Sequence, residues 1–171
     1  MADRRMFSKQ IVFSDAFLDM PLSARCLYFT LGMFADDDGF INNPKTIMRQ
    51  CGASIDDMNI LISKKYVLVF ESGVIVIKHW RINNYLRSDR YKETAYLEEK
   101  SQLRLKDNGS YTLDSSVGIP LVYPDKNSIG KYSIGKNSIG KVNKAPDQEV
   151  YDDSVNVKED LKDIETFLRN R

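Results

Sequence analysis

Cations, amides and aromatic side chains alternate within one short segment of this sequence, Lys78 to Lys92. Lysine and arginine neutralise phosphates, asparagine donates hydrogen bonds to backbone or base edges, and tyrosine stacks on bases. The stretch from Lys64 to Lys92 holds seven basic and two acidic residues, a net charge of +5 (seven minus two), although the whole chain carries only +1. Such a local excess favours a polyanionic partner. The alternative is a solvated connector whose charges contact nothing and whose Trp80 and Tyr85 lie in the core.

We predict that this segment binds nucleic acid and that two basic residues of a preceding helix also contact it. The predicted DNA-binding residues are Lys45, Arg49, Lys78, His79, Arg81, Asn83, Asn84, Tyr85, Arg87, Arg90, Tyr91 and Lys92. The expected ligand is duplex DNA, with single-stranded DNA as an alternative. His79 would add to the positive charge when protonated.

Residues that could carry catalysis or bind a metal are sparse. His79 is the sole histidine, and the sequence has no nucleophile motif, phosphate-binding loop or dinucleotide fingerprint. Cys26 and Cys51 form no Cys-x-x-Cys motif, so we predict buried free thiols in a reducing cytosol. The run Asp36 to Gly39 lacks the alternating acids and the distal glutamate of a calcium loop, and it indicates a helix stop with a left-handed glycine. We therefore predict no enzymatic activity, no cofactor and no metal site.

The predicted contact residues need a scaffold, and the apolar pattern before them indicates helices. Met6 to Val12 is typical of an edge strand or an ordered arm. Ser14 is suited to cap a short helix, Asp15 to Asp19. Apolar residues at helical spacing then predict a first core helix from about Leu22 to Ala35. Its predicted buried face consists of Leu22, Ala24, Leu27, Tyr28, Leu31 and Phe34.

Two further helices follow, separated by a glycine turn. Asn43 at the N-cap, with proline next to it, begins a short helix, Pro44 to Cys51. Gly52 ends that helix. Ser54 begins another, which extends to Lys64, with Asp57 in the third position of a capping box. This spacing is typical of a helix-turn-helix.

Two β-branched and aromatic runs, Val67 to Phe70 and Val74 to Ile77, come directly after the second of these helices. Glu71 to Gly73 joins them as a three-residue hairpin turn with a left-handed glycine. Phe40 to Ile41 is a short strand that could pair with the hairpin. The fold class predicted from this order is α+β and mostly helical: a winged helix-turn-helix with a two-stranded wing.

The start of the predicted recognition helix is acidic, with Asp56 and Asp57 where such helices meet base edges. Two carboxylates there would be repelled by phosphate. We therefore expect DNA to be held mainly by Lys45, Arg49, the wing and the basic segment.

The rest of the chain is predicted to comprise one more domain helix, a tether and a tail. A helix of about Glu93 to Lys106, with Lys100 on its outer side, completes a domain of residues 1–113. Residues 114–155 form a flexible linker with three tandem Ser-Ile-Gly-Lys repeats, for which a β-repeat or interaction motif is the alternative. Residues 156–171 form an amphipathic helix that either docks on a partner or frays. The chain has no apolar run of about 18 residues and no secretory signal, so we expect a cytoplasmic protein without membrane contact.

Two blocks of the sequence resemble a known family: FLDMPLSARCLYFTLGMFADDDGFINNP and GVIVIKHWRINNYLRSDRYKETAYLEE. They are similar to the N-terminal domain of replisome organiser proteins from phages and prophages of Gram-positive bacteria, which is itself similar to the DnaD-type primosomal winged helix. The resemblance covers about Arg4 to Lys106. It implies a phage replication initiator that binds origin DNA in the host cytoplasm and helps to recruit the host replicative helicase or its loader. Where longer members are expected to carry a helicase-loading domain, this chain has only the short 156–171 helix.

Two main functions are therefore expected, together with a third. The first is a DNA-binding replication initiator. The second is a self-assembling interaction adaptor of the primosome, a homo-oligomer in which DNA contact is secondary. A winged-helix transcriptional regulator is the third, because such folds serve many functions. An exposed apolar patch on the wing or first helix would favour assembly, and a continuous positive face around Arg81 to Lys92 would favour DNA.

Overall fold

Short helices alternate with two small antiparallel sheets in the computed structural model, which describes residues 4–86, 89–121 and 164–169. The helices are α1 (Lys9–Val12), α2 (Asp15–Leu18), α3 (Leu22–Phe34), α4 (Pro44–Cys51), α5 (Ile55–Ser63), α6 (Trp80–Asn83), α7 (Leu97–Gln102) and α8 (164–169). The strands are β1 (Phe40–Ile41), β2 (Val67–Val69), β3 (Ile75–Ile77), β4 (Arg104–Leu105), β5 (Tyr111–Thr112) and β6 (Ile119–Pro120). The predicted α+β class is confirmed. No helix in the described part of the chain is long and apolar enough to cross a membrane.

Helix α3 forms where its apolar spacing predicted it and packs against α4 and α5. Its buried residues are Ala24, Leu27, Tyr28, Leu31 and Gly32. Leu22 and Phe34, which were assigned to the same face, are exposed. They are the first and last residues of the helix. Both cysteines are free thiols, but Cys26 is exposed and Cys51 only partly buried, so the prediction of buried thiols is wrong.

Glycine and serine determine the turn between α4 and α5. Gly52 has a φ of 69°, a left-handed conformation that strains other residues. The capping box is confirmed: Ser54 Oγ accepts a bond from the Asp57 amide (3.2 Å), and Asp57 Oδ2 accepts one from the Ser54 amide (2.8 Å). The Ser23 hydroxyl of α3 also donates to Asp57. Burial would raise the pKa of Asp57, but bonds donated by the Ser23 hydroxyl and by the amide and hydroxyl of Ser54 outweigh it and lower the pKa. The Asp57 carboxylate is therefore committed to the fold.

The predicted hairpin and its third strand are confirmed. Strand β3 lies between β1 and β2, with Val76 opposite Phe40 on one side and Leu68 on the other. The turn from β2 to β3 has Gly73 at φ 82°, as the three-residue turn predicted. All three strands are buried on both faces, which explains their continuous β-branched and aromatic runs.

The acidic turn, residues 36–39, anchors the N-terminal end of the chain. Asp37 pairs with Arg5 (3.3 Å), and both side chains are almost completely buried. The Arg5 guanidinium also donates to the Ala35 carbonyl (2.8 Å) and lies 5.1 Å from the centroid of Trp80. Gly39 is left-handed as predicted, with φ 92°, and a Cβ there would lie 2.6 Å from the Trp80 ring. The turn ends α3 and also binds a residue more than thirty positions earlier.

The same turn binds the chain that follows the basic segment. Asp38 accepts hydrogen bonds from Lys100 Nζ (3.0 Å), the Tyr91 hydroxyl (2.8 Å) and the Thr94 amide (3.0 Å). Burial alone would lower the pKa of Lys100, but its bonds to Tyr91 and Asp38 raise it instead. Burial raises the pKa of Tyr91 to about 12. Asp36, whose pKa is raised by burial, accepts a bond from the Thr94 hydroxyl. Lys100 is therefore buried, contrary to its predicted outer position.

The predicted helix Glu93 to Lys106 is wrong at both ends, because only the six residues of α7 are helical. Before α7, Thr94 is not helical and is bound to the acidic turn. After α7, Leu105 of β4 pairs with Tyr111 of β5 and with Ile119 of β6. Residues 107–109 form the turn between β4 and β5. The predicted domain boundary at residue 113 lies inside this second sheet.

The predicted C-terminal helix is described only in part. Residues 164–169 are helical, and Phe167 belongs to the hydrophobic core with 1% of its surface exposed. Residues 156–163 of that prediction and the Ser-Ile-Gly-Lys repeats lie outside the described residues.

Candidate nucleic-acid interface

The structure divides the twelve predicted contact residues by their exposure. Six are exposed: Arg49, Arg81, Tyr85, Arg90, Tyr91 and Lys92. Three are partly buried: Lys45, Lys78 and Asn84. Two are buried, His79 and Asn83. Arg87 lies outside the described residues.

His79 does not reach the surface, and its predicted contact with DNA is wrong. The ring is 5% exposed and lies edge-on to Tyr66, with centroids 5.4 Å apart. No described residue forms a hydrogen bond with its Nδ1. Burial, with a smaller contribution from the adjacent Lys78 charge, lowers the pKa of His79 to about 3. The imidazole is therefore neutral at pH 7 and adds no positive charge.

Asn83 is also part of the core, so its predicted DNA contact is wrong as well. Its amide nitrogen donates to the Tyr28 hydroxyl (2.9 Å), and its amide oxygen accepts a bond from the Ser8 backbone (3.0 Å). Asn84 next to it accepts a bond from the Met6 amide (3.0 Å). The two asparagines bind the N-terminal arm. Residues 4–8 are thus an ordered arm without helix or strand that leads into α1, and the alternative of an edge strand is wrong.

The arm brings two further cations to this side of the molecule. Arg4 and Lys9 are exposed and flank the residues that bond to Asn83 and Asn84. Arg5 between them is not available to a ligand, because it pairs with Asp37. Sequence reasoning missed Arg4 and Lys9, although the clustered charges near the N-terminus could have indicated them.

Helix α6 turns one residue of the basic segment inward and the next one outward. Trp80 is buried and donates from Nε1 to the Asp37 carbonyl (2.9 Å). Arg81 beside it is exposed, and Tyr85 is 80% exposed. The predicted alternative, with both aromatic rings in the core, therefore holds only for Trp80. We call Arg81, Tyr85, Arg90 and Lys92 the basic surface.

The backbone of the basic surface is fixed at its far end by the acidic turn. The Lys92 amide donates to Asp37 Oδ2 (3.0 Å), and the Tyr91 hydroxyl donates to Asp38. These bonds leave the Lys92 side chain exposed. Tyr91 and Lys92, held in this way, lose little further backbone entropy when they bind a ligand, which favours affinity.

Two acidic side chains were expected to face DNA at the start of α5, and only one of them can do so. Asp57 is buried in the capping box, whereas Asp56 is exposed. Arg49 in the last turn of α4 is exposed. Lys45 in the first turn of α4 is partly buried, with its Nζ 5.5 Å from the centroid of Phe167.

No cluster of three or more His, Cys, Asp or Glu side chains within residues 4–86, 89–121 and 164–169 is placed to hold a metal ion. The three aspartates of the acidic turn bond instead to Arg5, Thr94 and Lys100. Comparison with protein-family models, with curated proteins and with solved structures finds no match.

Proposed function

We propose that this protein is a winged-helix DNA-binding protein that initiates replication. The element order α3, β1, α4, α5, β2, β3 supports this fold, because a helix-turn-helix is followed by a hairpin. The β1–β3–β2 sheet is the arrangement expected when a short strand between the first two helices pairs with that hairpin. In this reading α5 is the recognition helix and the β2–β3 turn is the tip of the wing.

The basic surface is the observation that carries the proposal. Three cations and a tyrosine that is 80% exposed occur within twelve residues, directly after the hairpin. Phosphate contacts of this kind position a duplex without reading its sequence, and an exposed aromatic ring can stack on an unpaired base. Arg4, Lys9 and Arg49 are exposed cations that could extend the contact.

The proposed role in replication rests on the resemblance to replisome organisers. In that role the protein binds origin DNA and helps to recruit the host replicative helicase or its loader. Since Asp56 is unfavourable near phosphate, we expect affinity to come mainly from the basic surface, with α5 contributing less.

Fluorescence anisotropy with labelled duplex and single-stranded DNA across a salt series tests this proposal. Each phosphate contact contributes about −0.9 to the log–log salt slope on duplex. Arg81→Ala and Arg90→Ala should each weaken binding and reduce the magnitude of the slope by about 0.9, because each removes one contact. Lys106→Ala, which removes the same charge outside both the basic stretch and the predicted contact set, is the control. Absent binding at low salt, or a slope that neither arginine variant changes, would refute the proposal.

Self-assembly is the second candidate, and a stripe of exposed residues on α3 favours it. Leu22, Cys26, Phe29 and Met33 are all exposed and follow one another at spacings of four, three and four residues. This spacing places the four side chains in a narrow stripe along one face of the helix. The sequence of spacings reads the same from either end of the helix. The stripe could therefore match a second copy that runs antiparallel. Sedimentation velocity of the wild type and Met33→Lys tests this, because a lysine in the stripe should convert a dimer into a monomer.

A further inference from the structure

Helix α8 places an aromatic ring in a cleft beside the wing. The cleft has a volume of about 210 Å³ and is lined by residues 42–46, by Ser72 and Gly73 of the hairpin turn, and by Phe167. Phe167 has only 1% of its surface exposed, and Ile164 on the same helix is partly buried against the core. Helix α8 is therefore packed against the start of α4 and the tip of the hairpin.

The position of Phe167 matters because of what it covers. Lys45 Nζ lies 5.5 Å from the centroid of the ring, within the range of a cation–π contact. Lys45 belongs to the predicted DNA-binding residues, and in helix-turn-helix proteins the first helix of the pair crosses the DNA backbone. A phosphate cannot approach this ammonium on the side that the ring occupies. The hairpin turn lines the same cleft, so one side chain obstructs two elements of the proposed interface.

We infer that α8 is an autoinhibitory element, which docks on the cleft through Phe167 and competes with DNA for the start of α4 and the tip of the wing. This inference rests on the proposed function. The occupant of the cleft is the α8 of the same chain. DNA binding and α8 docking are then mutually exclusive at this cleft, so each weakens the other by the same factor.

The size of the effect follows from the docking equilibrium. The apparent dissociation constant for DNA equals the intrinsic constant divided by the fraction of molecules in which the cleft is free. Burial of one phenyl ring favours the docked form by about tenfold to a hundredfold, and the ordering of a short helix offsets part of this. We therefore expect removal of the ring to strengthen DNA binding by about tenfold.

The test compares three full-length variants with the wild type. Phe167→Ala removes the ring, Phe167→Leu keeps part of the apolar contact, and Glu165→Gln changes an exposed residue of the same helix as a control. Duplex affinity by fluorescence anisotropy should increase about tenfold for Phe167→Ala and by less for Phe167→Leu, and it should stay within twofold for Glu165→Gln.

Hydrogen–deuterium exchange without DNA provides a readout that does not depend on the proposed function. In Phe167→Ala, the amides of residues 42, 43, 45, 46, 72 and 73 should exchange faster, with no change in α3. Unchanged exchange would overturn the docking itself. Faster exchange with unchanged or weaker DNA affinity would overturn the autoinhibition. If no variant binds DNA although exchange is faster, the proposed function and the autoinhibition both fail while the docking stands. If the wild type is a dimer and Phe167→Ala dissociates it, α8 docks on a second copy of the chain, and docking within one chain is overturned.

Discussion

The buried state of His79 predicts a loss of stability when the pH falls from 7 to 5. The pKa of the side chain is about 3 in the folded protein, because burial disfavours the charged ring. In the unfolded chain a histidine has a pKa of about 6.5. Between these two values the unfolded state binds a proton that the folded state does not, so stability rises with pH across this window. The contribution of His79 to the free energy of unfolding is complete above the pKa of the unfolded state. It is lost progressively as the pH falls below that pKa.

The size of this loss of stability depends only on the pKa of histidine in the unfolded chain, as long as the pKa in the folded protein stays well below 5. Integration of the proton-binding difference from pH 7 to pH 5, with an unfolded pKa of about 6.5, gives a loss of about 2 kcal/mol. Asp36 acts in the opposite direction, because its pKa is raised by burial and the folded protein gains from its protonation. A comparison of two proteins at the same two pH values is therefore needed to isolate the histidine.

Urea denaturation of the wild type and of His79→Phe at pH 7 and pH 5 makes this comparison. The phenyl ring retains the edge-on aromatic contact with Tyr66 and cannot titrate. The wild type should lose about 2 kcal/mol more than the variant between the two pH values, whatever the stability of the variant at pH 7. Equal losses would mean that His79 is protonated without unfolding, and the buried placement would then be refuted.

Three other substitutions test which side chains support the fold and which contribute to the proposed DNA binding. Lys100→Met should lower the free energy of unfolding by about 3 kcal/mol in urea, because Asp38 loses its buried ion pair; a change below about 0.5 kcal/mol, typical of a surface site, would contradict this. Asn83→Ala should cost about 2 kcal/mol by leaving the Tyr28 hydroxyl unpaired, with duplex affinity unchanged under conditions where it is folded. Tyr85→Ala should do the reverse, with stability kept and binding to single-stranded DNA weakened about fivefold through lost stacking. If Tyr85→Ala leaves that affinity unchanged, the tyrosine is not a contact residue.

Local signals in the sequence were sufficient for the central elements of the fold. The capping box at Ser54, the left-handed Gly52 and the three-residue turn at Gly73 each need only residues that are near in sequence. The continuous apolar runs on both sides of that turn likewise predict buried strands. These predictions succeeded because the physical cause lies within a few residues of its effect.

The acidic turn could not be predicted in the same way, because its partners are distant in sequence. Asp37 binds an arginine 32 positions earlier, and Asp38 binds a lysine 62 positions later. A lysine in a polar stretch is normally assigned to the surface. The sequence therefore predicts that Lys100 lies on the surface. It also predicts a helix that includes Thr94, because nothing nearby in sequence indicates that Thr94 binds a carboxylate. Only the fold shows that a buried carboxylate is within reach of each.

The basic segment shows why composition alone does not identify which residues are exposed. Its polar and aromatic side chains serve two purposes in alternation: Trp80 and Asn83 lie three residues apart on the inner side of α6, whereas Arg81 between them is exposed. Residues of both groups are typical of nucleic-acid contacts, so sequence alone cannot separate them. A loss of DNA binding caused by a substitution at an inner position would report unfolding of the arm and not a missing contact. Stability therefore has to be measured before affinity for each variant of this segment, and only variants that remain folded can test the proposed contact with DNA.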